Sequence, residues 1–165
     1  MLITVTPATT EPVTVEQAKA DLRMTHSVDD DLIARQITSA RETVEQWTGV
    51  ALAAATYQQS YGDACRGVTV PLLPATVDDV TQIVDGARVA VEDYTDDAVI
   101  GWIGFPSAAS VVVEFTTAPG SVPEALKTAI LLLVRREYEA DPDEQRKLWE
   151  AALATAWPYR RSLGV

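Results

Sequence analysis

The side chains able to support nucleophilic or acid–base chemistry in this chain of 165 residues are few. His26 is its one histidine and Cys65 its one cysteine. A Ser/His/Asp or Cys/His relay would have to use them, and no nucleophile motif surrounds either residue. His26 therefore reads as a loop histidine. Asp29-Asp30-Asp31 lacks the glycine and the closing glutamate of a calcium loop. It suits the start of a helix, where the dipole favours carboxylates. Asp93, Asp96 and Asp97 form a second acidic group, read as solvated turn residues; an acid-based hydrolase would have to work from them. Gly101-Trp102-Ile103-Gly104 is followed by no helix pattern and is no phosphate loop. Arg135-Arg136 falls toward a helix C-terminus, where cations suit the dipole. The C-terminal set Trp157, Tyr159, Arg160 and Arg161 is different. Two aromatics and two arginines sit together beyond the last helix of an acidic chain. That is the composition of interface anchors, or else of a frayed tail. No catalytic, metal or cofactor residues are assigned.

The totals narrow the classes further. A single cysteine allows no internal disulfide and no cysteine-rich metal site. The formal net charge of −11 argues against a protein that grips nucleic-acid phosphates. Met1 to Val5 has neither a basic start nor a long apolar run, so no signal peptide is expected there. The length suits one domain carrying an insertion and can bury a core without staples.

The elements that must position these residues follow from period and punctuation. Residues Met1 to Val13 read as an extended lead-in with Pro7 and Pro12. Thr14-Val15-Glu16-Gln17 is a capping box opening a short helix that ends near Arg23. The aspartates at 29–31 open a second helix. Its stripe Ile33, Ile37, Ala40, Val44 and Trp47 is spaced for one face, and Gly49 is its left-handed stop. From about 55 to 117 the period shortens to that of strands, about five or six of them: 56–61, 68–72, the run into Asp85-Gly86, 88–91, 99–103 and 111–116. Asp85-Gly86 is a hairpin signal, Pro106-Ser107 reads as a turn, and Pro71 and Pro74 break the alternation. Ser121 and Glu124 are spaced as a second capping box for a helix carrying Leu126, Ala129, Ile130, Leu133 and Val134. Leu131 and Leu132 widen that face. The apolar run is far short of the ~20 residues a membrane span needs, so it is expected to be a buried central helix. Asp141 caps a last helix with Pro142 at its first position. Pro158 is expected to end it near Trp157 and let the tail project. The expected class is α+β: a mainly helical frame of about four helices with a small β-rich insertion between the second helix and the central one.

Four stretches taken in order then resemble a known family. Pro12 to Arg23, Asp29 to Ile33 with Ala40 to Gly49, Val122 to Val134, and the closing Pro158-Tyr159-Arg160-Arg161 resemble the head–tail connector (head-completion or adaptor) proteins of tailed phages, which gene transfer agents also use. The resemblance covers the helical frame, and the β insertion looks like that of the longer members. It implies a single connector domain over residues 1–165, with 55–117 as an insertion. It also implies a structural virion component of the neck, made in the cytoplasm of a bacterial host, with no enzyme activity and no cofactor. The implied partners are the portal protein, a stopper or tail-completion protein, and other copies in a ring expected to be a dodecamer. DNA would pass through the channel without specific binding, and no membrane is involved. An acidic wall that repels phosphate fits that passage. Another neck or tail-completion protein is the neighbouring alternative.

Overall fold

Local rules account for most helix boundaries. In a computed structural model that describes residues 1–62, 66–105 and 110–161, α1 spans Val15–Leu22. The Thr14 hydroxyl accepts from the Gln17 N–H, and the Gln17 side chain accepts from the Thr14 N–H at 2.9 Å. Arg23 closes α1 in the left-handed region. Helix α2 spans Asp30–Thr48, with Asp30 and Asp31 in its first turn, and Gly49 stops it at φ 72°. A left-handed residue there is cheapest as glycine. Helix α4 spans Pro142–Ala156, and the Asp141 side chain accepts from the Asp143 N–H at 2.9 Å.

The central helix, α3, departs from expectation at its start. It spans Glu124–Tyr138 and has no side-chain cap. The Ser121–Glu124 box is not formed. Val122 precedes a proline and is held away from helical angles, so the helix begins one residue after Pro123. The Pro123 carbonyl takes the N–H groups of Leu126 and Lys127. Glu124 is then the first helical residue, and it pairs instead with Lys127 at 2.7 Å. The buried face is the expected one: Leu126, Ala129, Ile130, Leu133 and Val134, with Leu131 and Leu132 half-buried.

The chain divides into two compact units. One contains Glu11–Leu52 and the chain from Gly120 on; the other contains Met1–Thr10 and Ala53–Pro119. In the helical unit α3 packs on α1, α2 and α4. Ile33, Ile37, Ala40 and Val44 of α2 meet Leu126, Ile130 and Leu133 of α3 and Ala152 and Ala156 of α4 in one cluster. The buried face of α2 is wider than its apolar stripe, because Arg41, Glu45 and Thr48 are buried too. Arg41 donates to Glu45 and, at 2.8 Å, to Glu11; Glu45 also accepts the Leu52 N–H at 2.7 Å. A buried ion pair of this kind is tolerated only when its remaining hydrogen bonds are filled.

The β unit holds a five-stranded antiparallel sheet in the order β1-β2-β8-β4-β5 and a three-stranded one in the order β3-β7-β6. The strands are β1 Leu2–Thr6, β2 Thr56–Tyr61, β3 Gly67–Thr69, β4 Ala75–Val84, β5 Ala87–Ala90, β6 Thr95–Asp97, β7 Trp102–Gly104 and β8 Val111–Thr117. Seven of these fall in the stretch where five or six were expected. The lead-in supplies the eighth: β1 pairs with β2, Ile3 opposite Gln58. Central β8 carries most of this core, with Val111, Val113 and Phe115 fully buried. Phe115 stacks on Tyr57, its partner across the ladder, at 5.6 Å. The Asp85-Gly86 hairpin forms as expected, both residues having positive φ, as a type I′ turn requires.

One expected strand is mostly a turn. Residues 98–101 form it, and only Trp102–Gly104 are extended. The Asp97 carboxylate accepts from Val99 N–H at 3.0 Å and Ile100 N–H at 3.3 Å, and its carbonyl from Gly101 N–H at 2.7 Å. An aspartate bonding two backbone donors competes with a ladder for them. The Pro106-Ser107 turn and Cys65 lie outside the described residues.

Candidate functional site

The C-terminal set does not project. Pro158 suits the first turn of a tighter helix, where its missing N–H is not needed. The chain continues from α4 into a 3-10 turn at Trp157–Tyr159. It then returns to the C-terminal end of α2. The Arg161 N–H donates to the Thr48 carbonyl at 2.8 Å, and its guanidinium to the Gly49 carbonyl at 3.3 Å. Carbonyls at a helix end lack intrahelical partners, and Arg161 supplies them. Partial burial pulls the Arg161 guanidinium below its ordinary value, yet arginine remains a cation in proteins.

This return brings Trp157 to Trp47, the last member of the α2 stripe, with ring centroids 6.3 Å apart and tilted by 48°. The Arg160 guanidinium lies 4.8 Å from the Trp47 ring centroid and 5.4 Å from that of Trp157. Each such cation–π contact contributes about 0.5–1 kcal/mol at an exposed site. Arg160 has no carboxylate within ion-pair distance among the described residues. Gln46, Trp47, Thr48, Gly49, Trp157, Arg160 and Arg161 line a hollow of about 380 Å³. Trp47 Nε1 is buried with no hydrogen-bond partner among the described residues. A buried donor left unpaired costs about 1–3 kcal/mol.

Three of the four expected partner-binding residues thus share one hollow. Tyr159 does not line it and is exposed at the end of the 3-10 turn. Sequence reasoning assigned Trp47 to the core stripe. It is only half-buried, and its place at the last turn before Gly49 was the available signal.

The remaining candidates have structural duties. His26 Nδ1 stands 3.8 Å from Asp29, and its side chain is half exposed. Asp30 pairs with Lys19 at 2.7 Å, tying α2 to α1. Arg135 makes a bidentate pair with Asp21 of α1, at 2.6 and 3.1 Å. Arg136 lies over the Trp149 ring at 5.2 Å. Both arginines also lie in the last turn of α3, where cations suit the dipole. Asp93, Asp96 and Asp97 are exposed along and beside β6. No group of three His, Cys, Asp or Glu that could hold a metal occurs among the described residues. No helix of the described residues is long and apolar enough to cross a membrane.

No protein-family profile matches this chain, and no curated protein matches it. Solved structures do. A chain from the neck of an empty gene transfer agent particle, computed with C6 symmetry, has a TM-score of 0.71 at 20% identity. A chain from the virion of a native gene transfer agent particle has 0.68 at 18%. One from the neck of a native particle, computed with C12 symmetry, has 0.62 at 20%. Each match covers 100% of this chain and 98% of the other. At such identity the likeness establishes the fold: α+β, four helices with antiparallel sheets.

Proposed function

We propose that this chain is a structural component of the neck of a tailed-phage-type particle or gene transfer agent. In this reading it is a head–tail connector, or adaptor. Its copies form a ring under the portal, expected to be dodecameric, extend the DNA channel and join head to tail. The observation that carries the reading is the full-length likeness to neck chains, which leaves neither unit of this chain unmatched. The C6 and C12 symmetries of those particles support a ring. The order of the sequence motifs supports the connector among neck parts. The β unit is then an insertion in a single connector domain. Trp157, Tyr159, Arg160 and Arg161 are the contact residues for the portal or a neighbouring copy, presented by an anchored turn and not by a loose tail. Catalysis has no part in this role. The net charge of −11 suits a wall past which DNA slides.

Co-sedimentation tests the reading. Purified chain is mixed with portal-bearing heads that lack it, and separately with isolated tails. It should pellet with heads and appear as a ring at the portal vertex by electron microscopy. Pelleting with tails alone would make it a tail-completion protein. Binding to neither would end the neck assignment.

A further inference from the structure

We propose that the Trp47–Trp157–Arg160 hollow receives carboxylates of a second copy of this chain, from the Glu92–Asp97 edge of its β unit. The contact rests on the ring reading and gives it a residue-level mechanism. Three observations carry it. The first is the state of Arg160. Two indole faces hold its guanidinium in place while no carboxylate of the described residues pairs with it. A π-face contact leaves the in-plane N–H groups free, and their fork matches a carboxylate. The second is that Trp47 itself lines the hollow, and its buried Nε1–H finds no acceptor among the described residues, so its ring is held there by packing and by Arg160. The guanidinium, stacked on rings that line the hollow, asks for an anionic acceptor.

The third is where such acceptors stand. The β unit has nine acidic residues against Arg66 and Arg88, a net charge of −7. None of its described carboxylates makes an ion pair, although the helical unit has many. Glu92, Asp93 and Asp96 are exposed within five residues of one another. Asp97 is already engaged by the turn at 98–101, and Glu114 by Gln58. β6 is also an edge strand of its sheet, so a neighbour can approach it. A contact that uses different surfaces on the two copies is head-to-tail, and repeated head-to-tail contacts close into a ring where the rotation from copy to copy closes.

Sedimentation velocity over a concentration series distinguishes this contact from general charge effects. Arg160→Glu should weaken self-association at least tenfold, with helix content unchanged by circular dichroism. Arg160→Lys keeps the charge but loses the fork and should fall between. The triple variant Glu92→Gln, Asp93→Asn, Asp96→Asn should also weaken association at least tenfold. Without this contact the triple variant would associate more tightly, because it removes three like charges from each copy. Arg160→Glu and the triple variant each retain one intact surface, so mixing them should give heterodimers that grow no further. A wild-type chain that stays monomeric at every concentration overturns the contact. So does tighter association of the triple variant, or an Arg160→Glu chain that assembles as well as wild type. If in any of those cases the wild type still pellets with heads, the neck reading stands and only this contact is lost.

Discussion

The two units of this chain handle charge in opposite ways. The helical unit carries fifteen acidic and eleven basic residues, and every ion pair found among the described residues lies within it. One of those, Arg41 with Glu45, is buried beside the apolar cluster. The β unit carries a net charge of −7 with no ion pair among its described residues, and its interior is held by apolar side chains such as Phe115, Val113, Val80 and Ile103. The difference shows where each unit meets its surroundings. Paired charges tie helices to one another: Asp21 to Arg135, Asp30 to Lys19. In the β unit the exposed carboxylates of Glu92, Asp93 and Asp96 make no ion pair among the described residues. They also discourage edge-to-edge aggregation of strands.

The comparison is broken most directly by cutting out apolar volume in the β unit. Phe115→Ala should cost about 3–5 kcal/mol, because the ring is fully buried and stacks on Tyr57. Ile130→Ala, its counterpart in the helical unit, should cost about 2–5 kcal/mol. Chemical denaturation followed by amide exchange, read separately for each unit, measures both. A change within about 0.5 kcal/mol at Ile130 would mean that α3 is peripheral.

Glu45→Ala sharpens the contrast. It leaves Arg41 buried with Glu11 at 2.8 Å and Glu42 at 3.5 Å, and strips the Leu52 N–H of its acceptor. Breaking a buried pair from one side costs about 3–5 kcal/mol, and the retained Glu11 places this case near the lower bound. The loss should appear in helical-unit amides. Changing exposed Asp93 to Asn should leave the β-unit amides almost unmoved. Equal losses from the two changes would show that burial does not separate these charges.

The smallest expected effect is alkaline. Burial pushes the Tyr61 phenol above its ordinary value of 10.0, and the hydroxyl donates to the Thr69 carbonyl at 2.7 Å. The folded state therefore favours the protonated form. That contribution is complete below the unfolded-state value of about 10 and is lost as pH rises beyond it. β-unit stability should fall above about pH 10, and Tyr61→Phe should flatten that fall while lowering stability at neutral pH through the lost hydrogen bond. An unchanged alkaline slope in Tyr61→Phe, measured by urea melts at stepped pH, would assign the effect elsewhere. Tyr138, also shifted upward by burial and then by Asp29, gives the helical unit a response of the same sign.

Much of the molecule is determined by short-range order in the sequence. The Thr14 box, the Asp141 cap, the Gly49 stop and the Asp85-Gly86 turn depend on neighbours within four residues, and each forms as the residues dictate. The α2 and α3 stripes likewise encode their buried faces by period alone. That suffices for the α+β class and for the helix boundaries, save where Pro123 overrides Ser121. What joins distant residues was decided only in three dimensions. β1 becomes a strand because β2, more than fifty residues on, offers it an edge. Arg41 is buried because Glu45 and Glu11 converge on it, and a charged residue beside an apolar stripe gives no sign of that by period. Trp47 meets Trp157 and Arg160 because the 3-10 turn redirects the chain to the end of α2. The residue types of the candidate site were legible, since arginine and aromatics at the end of an acidic chain stand out. Their gathering into a hollow was not, because it depends on which helix end the returning chain finds unsatisfied.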